Sequence, residues 1–361
     1  MEKVAGLNRA CKMSDSTVSL MKSLLIGSEG YLGSLLGPVL SRGGQDVSGF
    51  DTGFYREGTL YHAGGTTPRT ISKDVREIDI EDLRDIEAVI HLGELSNDPL
   101  GQLSPNITYE INHHGSVRLA RLAREAGVRR FVYMSSCSVY GVSDSDYVDE
   151  KSPVDPQTAY AVCKTRVEHD VGNLATNGFS PVFLRNATAY GASPQMRFDI
   201  VLNNLAGLAW TTKEIRMSSD GTPWRPLVHG LDICQAIEQV LAAPREAIHN
   251  QIFNVGETSH NYRVKEIAEI VAETFTGCKL TLGAPSPDNR SYRVSFEKIQ
   301  KHLPGFRCAW DARKGAQQLH DLFERIDLRP EVFQHRAFTR LKQLEYLIRT
   351  RQIDDHFYWK Y

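Results

Sequence analysis

The chain has 361 residues, of which 42 are basic and 44 acidic, so its formal net charge is only −2. Neither sign of charge forms a long block, which argues against a nucleic-acid platform or a polybasic membrane anchor. No apolar run approaches the ~18 residues that a membrane span needs, and the first 20 residues lack the apolar stretch of a secretory signal. We therefore expect a cytoplasmic protein with a large core and with neither a nucleic-acid nor a membrane partner.

The six cysteines are scattered along the chain, with no CxxC spacing and no Cys/His cluster. This pattern predicts neither a zinc site nor a disulfide framework, and we expect no metal. The simplest interpretation is that the cysteines are reduced thiols in core positions. Cys137 is the exception, because it directly follows Ser136.

Short apolar segments alternate with helical patterns along the first half of the chain. Residues 22–27 are an apolar run that ends in glycine, which is typical of a buried parallel strand. Further strands are predicted at 47–50, 88–92, 130–134, 181–185 and 251–255, and helices at 104–126, 157–174 and 338–350. This alternation predicts an α/β fold, a Rossmann-type doubly wound parallel sheet covered by helices on both faces.

After Asn186 the pattern is irregular and richer in glycine, proline and tryptophan. We assign most of this half to a smaller mixed α/β lobe that closes over the carboxyl edge of the sheet, where ligands bind in such folds. The predicted division is an N-terminal extension (1–21), a dinucleotide-binding domain (22–185 and 227–257), a substrate lobe (186–226 and 258–330), and a C-terminal helix and aromatic tail (331–361). The tail is expected to pack on the second lobe or on a partner.

Three glycines follow the first predicted strand directly, in the run Gly27-Ser-Glu-Gly30-Tyr-Leu-Gly33. Glycines let a backbone approach a pyrophosphate, and the N-terminus of the next helix offers free N–H donors. The run therefore predicts a dinucleotide site formed by Gly27, Glu29, Gly30, Tyr31, Leu32 and Gly33.

Asp51 ends the next predicted strand. A carboxylate at this place can accept hydrogen bonds from the adenosine ribose and would repel a 2′-phosphate. The sequence thus favours NAD over NADP, although the nearby Arg56 leaves a dual preference open.

Tyr160 and Lys164 are four residues apart on a predicted helix and therefore face the same way. An ammonium beside a phenol favours the phenolate and lowers a pKa that is ordinarily ~10. Such a tyrosinate can accept the proton of a hydroxyl while the carbon gives a hydride to a nicotinamide. Ser136, in the run Met134-Ser-Ser-Cys-Ser-Val-Tyr-Gly141, would hydrogen-bond the same substrate oxygen.

With these motifs in this order, residues 22–320 resemble the extended short-chain dehydrogenases/reductases, in the branch of the nucleotide-sugar epimerases, dehydratases and decarboxylases. The resemblance implies an NAD cofactor, a nucleotide-diphosphate sugar as substrate and a homodimer formed through helices 104–126 and 157–174. Leu119, Leu122 and Ala123 could form the dimer stripe, although such a stripe is more often core.

The resemblance also implies roles for further residues. Asp79 and Ile80 match the pair that packs on adenine, and Leu92, Gly93, Glu94 and Ser96 match a strand-end loop beside the dinucleotide. Glu94 stands where relatives often have alanine, so it either caps that loop or touches the nicotinamide ribose or the sugar. Arg225 and Arg290 match a pair of clamps on the substrate diphosphate, because each guanidinium supplies a planar fork of donors. The remaining substrate-binding residues are expected to be Ser136, Cys137, Ser138, Asn186, Thr188 and Arg197.

The reaction is narrowed by the two residues that follow Ser136. Dehydratases of this family carry acidic residues at these two positions, including a glutamate that helps to eliminate water. Decarboxylating relatives usually have the same glutamate. This chain has Cys137 and Ser138 there, and neither is a carboxylate. The 3,5-epimerases of this family have a cysteine base two places after the serine, where this chain has Ser138. Cys137 could serve as that base only if the backbone turned differently. We therefore expect an epimerase, most simply at C4. A ketoreductase or dehydrogenase is the alternative because it uses the same triad, and a non-catalytic dinucleotide sensor is a weaker one.

Overall fold

The computed structural model describes residues 21–62, 64–96, 98–143, 145–284 and 291–360, so the predicted N-terminal extension lies almost wholly outside the described residues. The strands in these ranges are β1 (Lys22–Ile26), β2 (Asp46–Asp51), β3 (Thr70–Ser72), β4 (Ala88–His91), β5 (Arg130–Ser136), β6 (Ser180–Asn186), β7 (Thr188–Tyr190), β8 (Glu214–Arg216), β9 (Trp224–His229), β10 (Gln251–Val255), β11 (Asn261–Arg263) and β12 (Lys279–Thr281).

The α-helices are α1 (Gly33–Arg42), α2 (Asp98–Leu103), α3 (Pro105–Thr108), α4 (Ser116–Glu125), α5 (Ala159–Gly172), α6 (Val201–Thr212), α7 (Gly230–Ala242), α8 (Arg245–Ile248), α9 (Val264–Thr274), α10 (Glu297–His302), α11 (Ala312–Arg325), α12 (Pro330–Gln334) and α13 (Arg340–Arg349). Within the described residues, no helix is both long and apolar enough to span a membrane.

Seven parallel strands form the main sheet, in the order β10-β6-β5-β4-β1-β2-β3. The central strands are buried because helices cover both faces: α1 and α7 pack on one side, α4 and α5 on the other. The predicted Rossmann-type α/β fold is therefore confirmed. The strand order reverses at β1, which places a crevice at the carboxyl ends of β1 and β4.

The predicted helix at 104–126 is interrupted in the structure. Between α3 and α4 the chain forms a π-helical segment, Tyr109–Gly115. This wider turn, a feature that often occurs at functional sites, carries Asn112 into the loop after β4. There its amide accepts from the N–H of Leu95 (2.9 Å) and donates to the same residue's carbonyl (3.0 Å). Leu119 and Ala123 of α4 are fully buried in the chain's own core, so they are not a dimer stripe.

The smaller lobe contains a three-stranded sheet, β11-β9-β7, and a two-stranded sheet, β12-β8. Its helices α6, α9 and α11 share one apolar core. Strand β9 crosses the boundary predicted at residues 226 and 227 and pairs with strands of this lobe. The remaining domain boundaries stay predictions.

The C-terminal tail packs beside the carboxyl end of β2. The indole N–H of Trp359 donates to the carbonyl of Thr52 (2.7 Å), and the guanidinium of Arg76 lies 3.8 Å from the centre of the Tyr358 ring. The tail therefore packs on the sheet domain. The expectation that it packs on the second lobe is wrong.

Candidate active site

One cavity of about 620 Å³ opens at the carboxyl ends of the main-sheet strands and extends under the smaller lobe. Most of the residues predicted for the site line it: Gly27, Gly30, Tyr31, Leu32, Gly33, Asp51, Leu92, Gly93, Glu94, Ser96, Ser136, Ser138, Tyr160, Lys164, Asn186, Thr188, Arg197 and Arg225. The cavity thus brings the predicted cofactor, catalytic and substrate residues together.

The turn between β1 and α1 fits the diphosphate of a dinucleotide. Gly27 has φ of +83°, and a Cβ there would lie 2.7 Å from the backbone N of Gly93. A Cβ on Gly33 would overlap the carbonyl oxygen of Gly27. Leu32 is the N-cap of α1 and makes no side-chain cap hydrogen bond. The N–H groups of Ser34 and Leu35 already donate to the carbonyls of Gly30 and Leu32, so the first-turn donor left for an anion in the cavity is the N–H of Gly33.

Asp51 is held in a fixed orientation at the end of β2. Its carboxylate accepts from the N–H groups of Glu29 (3.0 Å) and Gly53 (2.7 Å). Burial raises the pKa of Asp51, and the two backbone hydrogen bonds oppose that rise. Glu29 contributes its backbone only; its side chain pairs with Arg56 (2.5 Å) and does not line the cavity.

We expect Asp51→Ala to raise the dissociation constant for NAD about tenfold or more, because a hydrogen bond to a charged group contributes ~1.5–3 kcal/mol. The variant should also discriminate less against NADP. Titration of both dinucleotides measures this, with Asp51→Asn as the matched control that keeps one acceptor for the turn. An unchanged preference for NAD in both variants contradicts the ribose role.

Asp79 and Ile80, predicted to contact adenine, do not line the cavity. Ile80 is 38% exposed, and Asp79 forms an ion pair with Lys73 (2.7 Å) on the surface. The residues that do line the cavity are those that directly follow β3, namely Lys73, Asp74 and Val75. Residues 74–86 hold four Asp-aliphatic pairs, and the pair nearest to the strand end, Asp74-Val75, is the one at the site.

Tyr160, Lys164 and Ser136 converge in the middle of the cavity, as predicted. The Nζ atom of Lys164 is 5.3 Å from the centre of the Tyr160 ring and donates to the carbonyl of Met134 (2.5 Å). The hydroxyl of Ser136, the last residue of β5, lies on the same cavity and lowers the pKa of the Tyr160 phenol. An i, i+4 pair on α5 and a serine at a strand end therefore meet around one oxygen.

Glu94 lines the cavity next to Lys164. Its carboxylate forms an ion pair with Lys164 (Nζ to Oε2, 2.5 Å) and accepts from the hydroxyls of Tyr133 (2.6 Å) and Ser116 (3.1 Å). The side chain is only 3% exposed. Glu94 is thus a fixed anion beside the catalytic lysine, held by strand β5 and helix α4.

The charge balance around Tyr160 differs from the sequence expectation. Burial raises the pKa of the phenol above its usual value; Lys164 lowers it, and the carboxylates of Glu94 and Asp98 raise it further. Burial lowers the pKa of Lys164, but Glu94, Tyr160 and Cys163 together outweigh burial and the net shift is upward, so the ammonium stays charged. Lys164 thus lowers the pKa of Tyr160, as the sequence predicted, but burial, followed by Glu94 and Asp98, outweighs it and the net shift is upward.

Cys137 does not lie on the cavity, so the structure does not place it among the substrate-binding residues. It is 1% exposed, its thiol donates to the carbonyl of Arg185 (3.2 Å), and burial raises its pKa. The short 3-10 turn after β5 directs Ser138, and not Cys137, toward the cavity. This position of the thiol does not support a role for Cys137 as a base.

The sugar side of the cavity offers several polar groups. The Ser138 hydroxyl and the side-chain amide oxygen of Asn186 (Oδ1) are buried and have no hydrogen-bond partner within the described part of the chain. Arg225 reaches the cavity from β9, and Arg197 binds Asp199 through two hydrogen bonds (2.9 and 3.0 Å). Arg290 lies outside the described residues.

Several lining residues were not predicted from the sequence. They are two carboxylates (Asp98 and Asp199), two aromatic residues after β2 (Phe54 and Tyr55), and the start of the C-terminal helix (Thr339, Arg340 and Leu341). Asp98 follows the predicted strand-end loop and carries a local signal, since polar residues after a parallel strand often reach ligands. The C-terminal residues carry none, because only long-range packing brings them here.

Comparison with known proteins agrees with this geometry. The model of the NAD dependent epimerase/dehydratase family matches residues 23–256. The chain belongs to this family. It is an enzyme of the extended short-chain dehydrogenase/reductase type, and NAD is its cofactor, as the sequence predicted.

Two relatives and one solved structure indicate the range of activities in this family. The chain is 29% identical over 337 residues to the UDP-glucose 4-epimerase of Corynebacterium glutamicum, covering 88% of this chain and 96% of that protein. It is 28% identical over 194 residues to the dTDP-D-glucose 4,6-dehydratase of Mus musculus, covering 52% and 53%. The structure of MoeE5 in complex with UDP-glucose and NAD superposes with a TM-score of 0.72 at 27% identity, covering 84% and 99%.

Proposed function

We propose that this enzyme is a C4 epimerase of a nucleotide-activated sugar. The observation that carries the proposal is the complete set of Tyr160, Lys164 and Ser136 on the cofactor cavity. The two residues directly after Ser136 are Cys137 and Ser138, at positions where dehydratases have carboxylates. The similarity to a UDP-glucose 4-epimerase over nearly the whole chain supports it.

The proposed chemistry needs one acid/base group and a pocket in which the sugar can turn. Tyr160 would accept the proton of the C4 hydroxyl, and Ser136 would hold that oxygen. NAD, held by the turn between β1 and α1 and by Asp51, would supply the reversible hydride acceptor for C4. The 4-keto sugar rotates, the hydride comes back to the opposite face, and Tyr160 returns the proton to the oxygen. Lys164 keeps the phenol oxygen in place and balances its charge. The cycle produces no net oxidation.

The polar groups on the sugar side suit recognition of hydroxyls and are not suited to elimination of water. Ser138 offers a hydroxyl and Asn186 an amide oxygen, both in need of partners. Neither is an acid that could protonate a leaving hydroxyl at C6. Arg225 lies on the same cavity and supplies a guanidinium for the substrate diphosphate.

The runner-up is a net ketoreductase or dehydrogenase, because the same triad serves both reactions and only the release of the reduced dinucleotide distinguishes them. A 4,6-dehydratase is a weaker alternative: Glu94 and Asp98 line the cavity, but Glu94 is bound to Lys164. Homodimerisation through α4 and α5 remains a proposal that rests on the family resemblance.

Nuclear magnetic resonance of UDP-, GDP-, TDP- and CDP-sugars incubated with the enzyme in D2O separates these reactions. An epimerase gives a C4 epimer that keeps its original C4 hydrogen and needs no added NAD. A dehydratase gives a 4-keto-6-deoxy sugar with solvent deuterium, and a dehydrogenase accumulates NADH. Either of the last two products overturns the proposal.

Arg225→Ala should raise KM for a nucleotide sugar about 10- to 100-fold, the range for a hydrogen bond to a charged group. The KM for the sugar 1-phosphate, which lacks the diphosphate, should change much less. The matched control is Arg216→Ala, since Arg216 is exposed on β8 and pairs only locally with Glu214. Equal effects on both substrates argue against a diphosphate clamp.

A further inference from the structure

Arg340, the first residue of α13, lies on the wall of the cofactor cavity together with Thr339 and Leu341. It belongs to the C-terminal segment, beyond the residues that the family model matches. Arg340 is only 2% exposed, although a guanidinium is among the groups least suited to burial.

The charge of Arg340 is incompletely compensated. Among the described residues, its Nη1 atom is buried and has no hydrogen-bond partner. The nearby carboxylate of Asp199 accepts two hydrogen bonds from Arg197 and one from the backbone N–H of Arg340 (3.3 Å). Burial, and then the like charge of Arg197, lower the pKa of Arg340 to about 10.

The position on the helix adds to this cost. A cation at the first residue of a helix lies at the positive end of the helix dipole, which is unfavourable for a guanidinium and favourable for an anion. The N-terminus of α13 and the side chain of Arg340 therefore both present positive charge to one region of the cavity. A buried donor without an acceptor, on the wall of a ligand cavity, indicates that the ligand supplies the acceptor.

The surroundings identify which part of the ligand this is. The guanidinium lies 4.0 Å from the centre of the Tyr55 ring, and its charge stabilises the carboxylate of Asp51 at the end of β2. Asp51 is the residue that suits the adenosine ribose, so Arg340 faces the adenosine half of the cofactor. The strongest anion in that half of a dinucleotide is the diphosphate.

We propose that Arg340 donates to a diphosphate oxygen of the bound dinucleotide, so that the C-terminal segment completes the cofactor site. The backbone N–H groups of the turn between β1 and α1 bind the diphosphate in the way the fold predicts. Arg340 adds a charged side-chain donor from the other end of the chain. Docking of the tail through Trp359 and Gln343, which bond the carbonyls of Thr52 and Phe54, holds α13 in place.

The test is the affinity of full-length protein, exchanged by dialysis against dinucleotide-free buffer, for ADP, adenosine and UDP. Arg340→Gln should raise the dissociation constant for ADP about 10- to 100-fold and change those for adenosine and UDP less than twofold. Arg349→Gln, an exposed arginine on the same helix, is the matched control and should change none of them.

Arg340→Lys keeps the charge and loses the planar fork, so it should weaken ADP binding by a smaller factor; it also provides the measurement if the neutral variant does not fold. The proposal is overturned if ADP affinity stays within twofold of the original, if adenosine affinity falls equally, or if UDP affinity falls instead. These binding measurements involve no turnover, so they remain decisive even if the enzyme is not a C4 epimerase.

Discussion

Replacing Tyr160 with phenylalanine should lower turnover by about 10²–10⁴-fold, the usual contribution of a positioned general acid/base. The change removes one oxygen from a residue that lines the cavity beside Ser136. The ring stays, so packing around α5 is preserved. The amount of NAD retained by the purified protein should therefore be unchanged, as measured by the dinucleotide released on denaturation.

The matched control is Tyr147→Phe, which makes the same chemical change at a tyrosine that is 44% exposed and outside the cavity. Its turnover should equal that of the original enzyme. Full activity of Tyr160→Phe would show that another group carries the proton. A loss of both NAD and activity would instead assign Tyr160 a structural or cofactor-binding role.

Local patterns were sufficient for the parts of the site that lie within one strand-turn-helix unit. The apolar run before Gly27 and the glycine spacing after it predicted β1, the turn and the start of α1, because only a tight turn after a buried strand requires both. The i, i+4 spacing of Tyr160 and Lys164 predicted a shared face, and α5 confirms it. The alternation of strand and helix patterns along the chain predicted the parallel sheet.

Features that depend on exact register or on distant packing were not predictable. Asp79 and Ile80 were predicted at the adenine, whereas Lys73, Asp74 and Val75 line the cavity, because no local pattern marks the end of the short strand β3. Cys137 stands next to the catalytic serine in sequence, yet the turn after β5 directs its thiol to the carbonyl of Arg185. Arg340 is more than 280 residues from Asp51, and no local pattern links them.

The second prediction concerns Glu94, whose environment also depends on contacts between residues that are far apart in the sequence. Glu94→Gln should move the acid limb of the pH profile of kcat/KM to lower pH by about one unit. Tyr160 acts as a base in its ionised form, so activity rises as pH rises through its pKa. Removing a neighbouring negative charge lowers that pKa and leaves the effect of Lys164 unopposed.

The other charged groups facing Tyr160 stay in place in this variant. Asp98 still raises the pKa of the phenol, and Arg197 also lies within electrostatic range. The glutamine oxygen can still accept from Tyr133 and Ser116, although loss of one partner of a buried ion pair costs about 3–5 kcal/mol of stability when nothing compensates. Lys164 keeps the carbonyl of Met134 as an acceptor, so the loss of stability should be smaller than that range.

The measurement is a pH profile of kcat/KM for the original enzyme, Glu94→Gln, and Glu81→Gln as a control at an exposed carboxylate. Only Glu94→Gln should gain relative activity at low pH. If its acid limb stays in place or moves to higher pH, Glu94 does not oppose ionisation of Tyr160. The carboxylate would then serve to orient Lys164, and its removal should lower kcat equally at every pH.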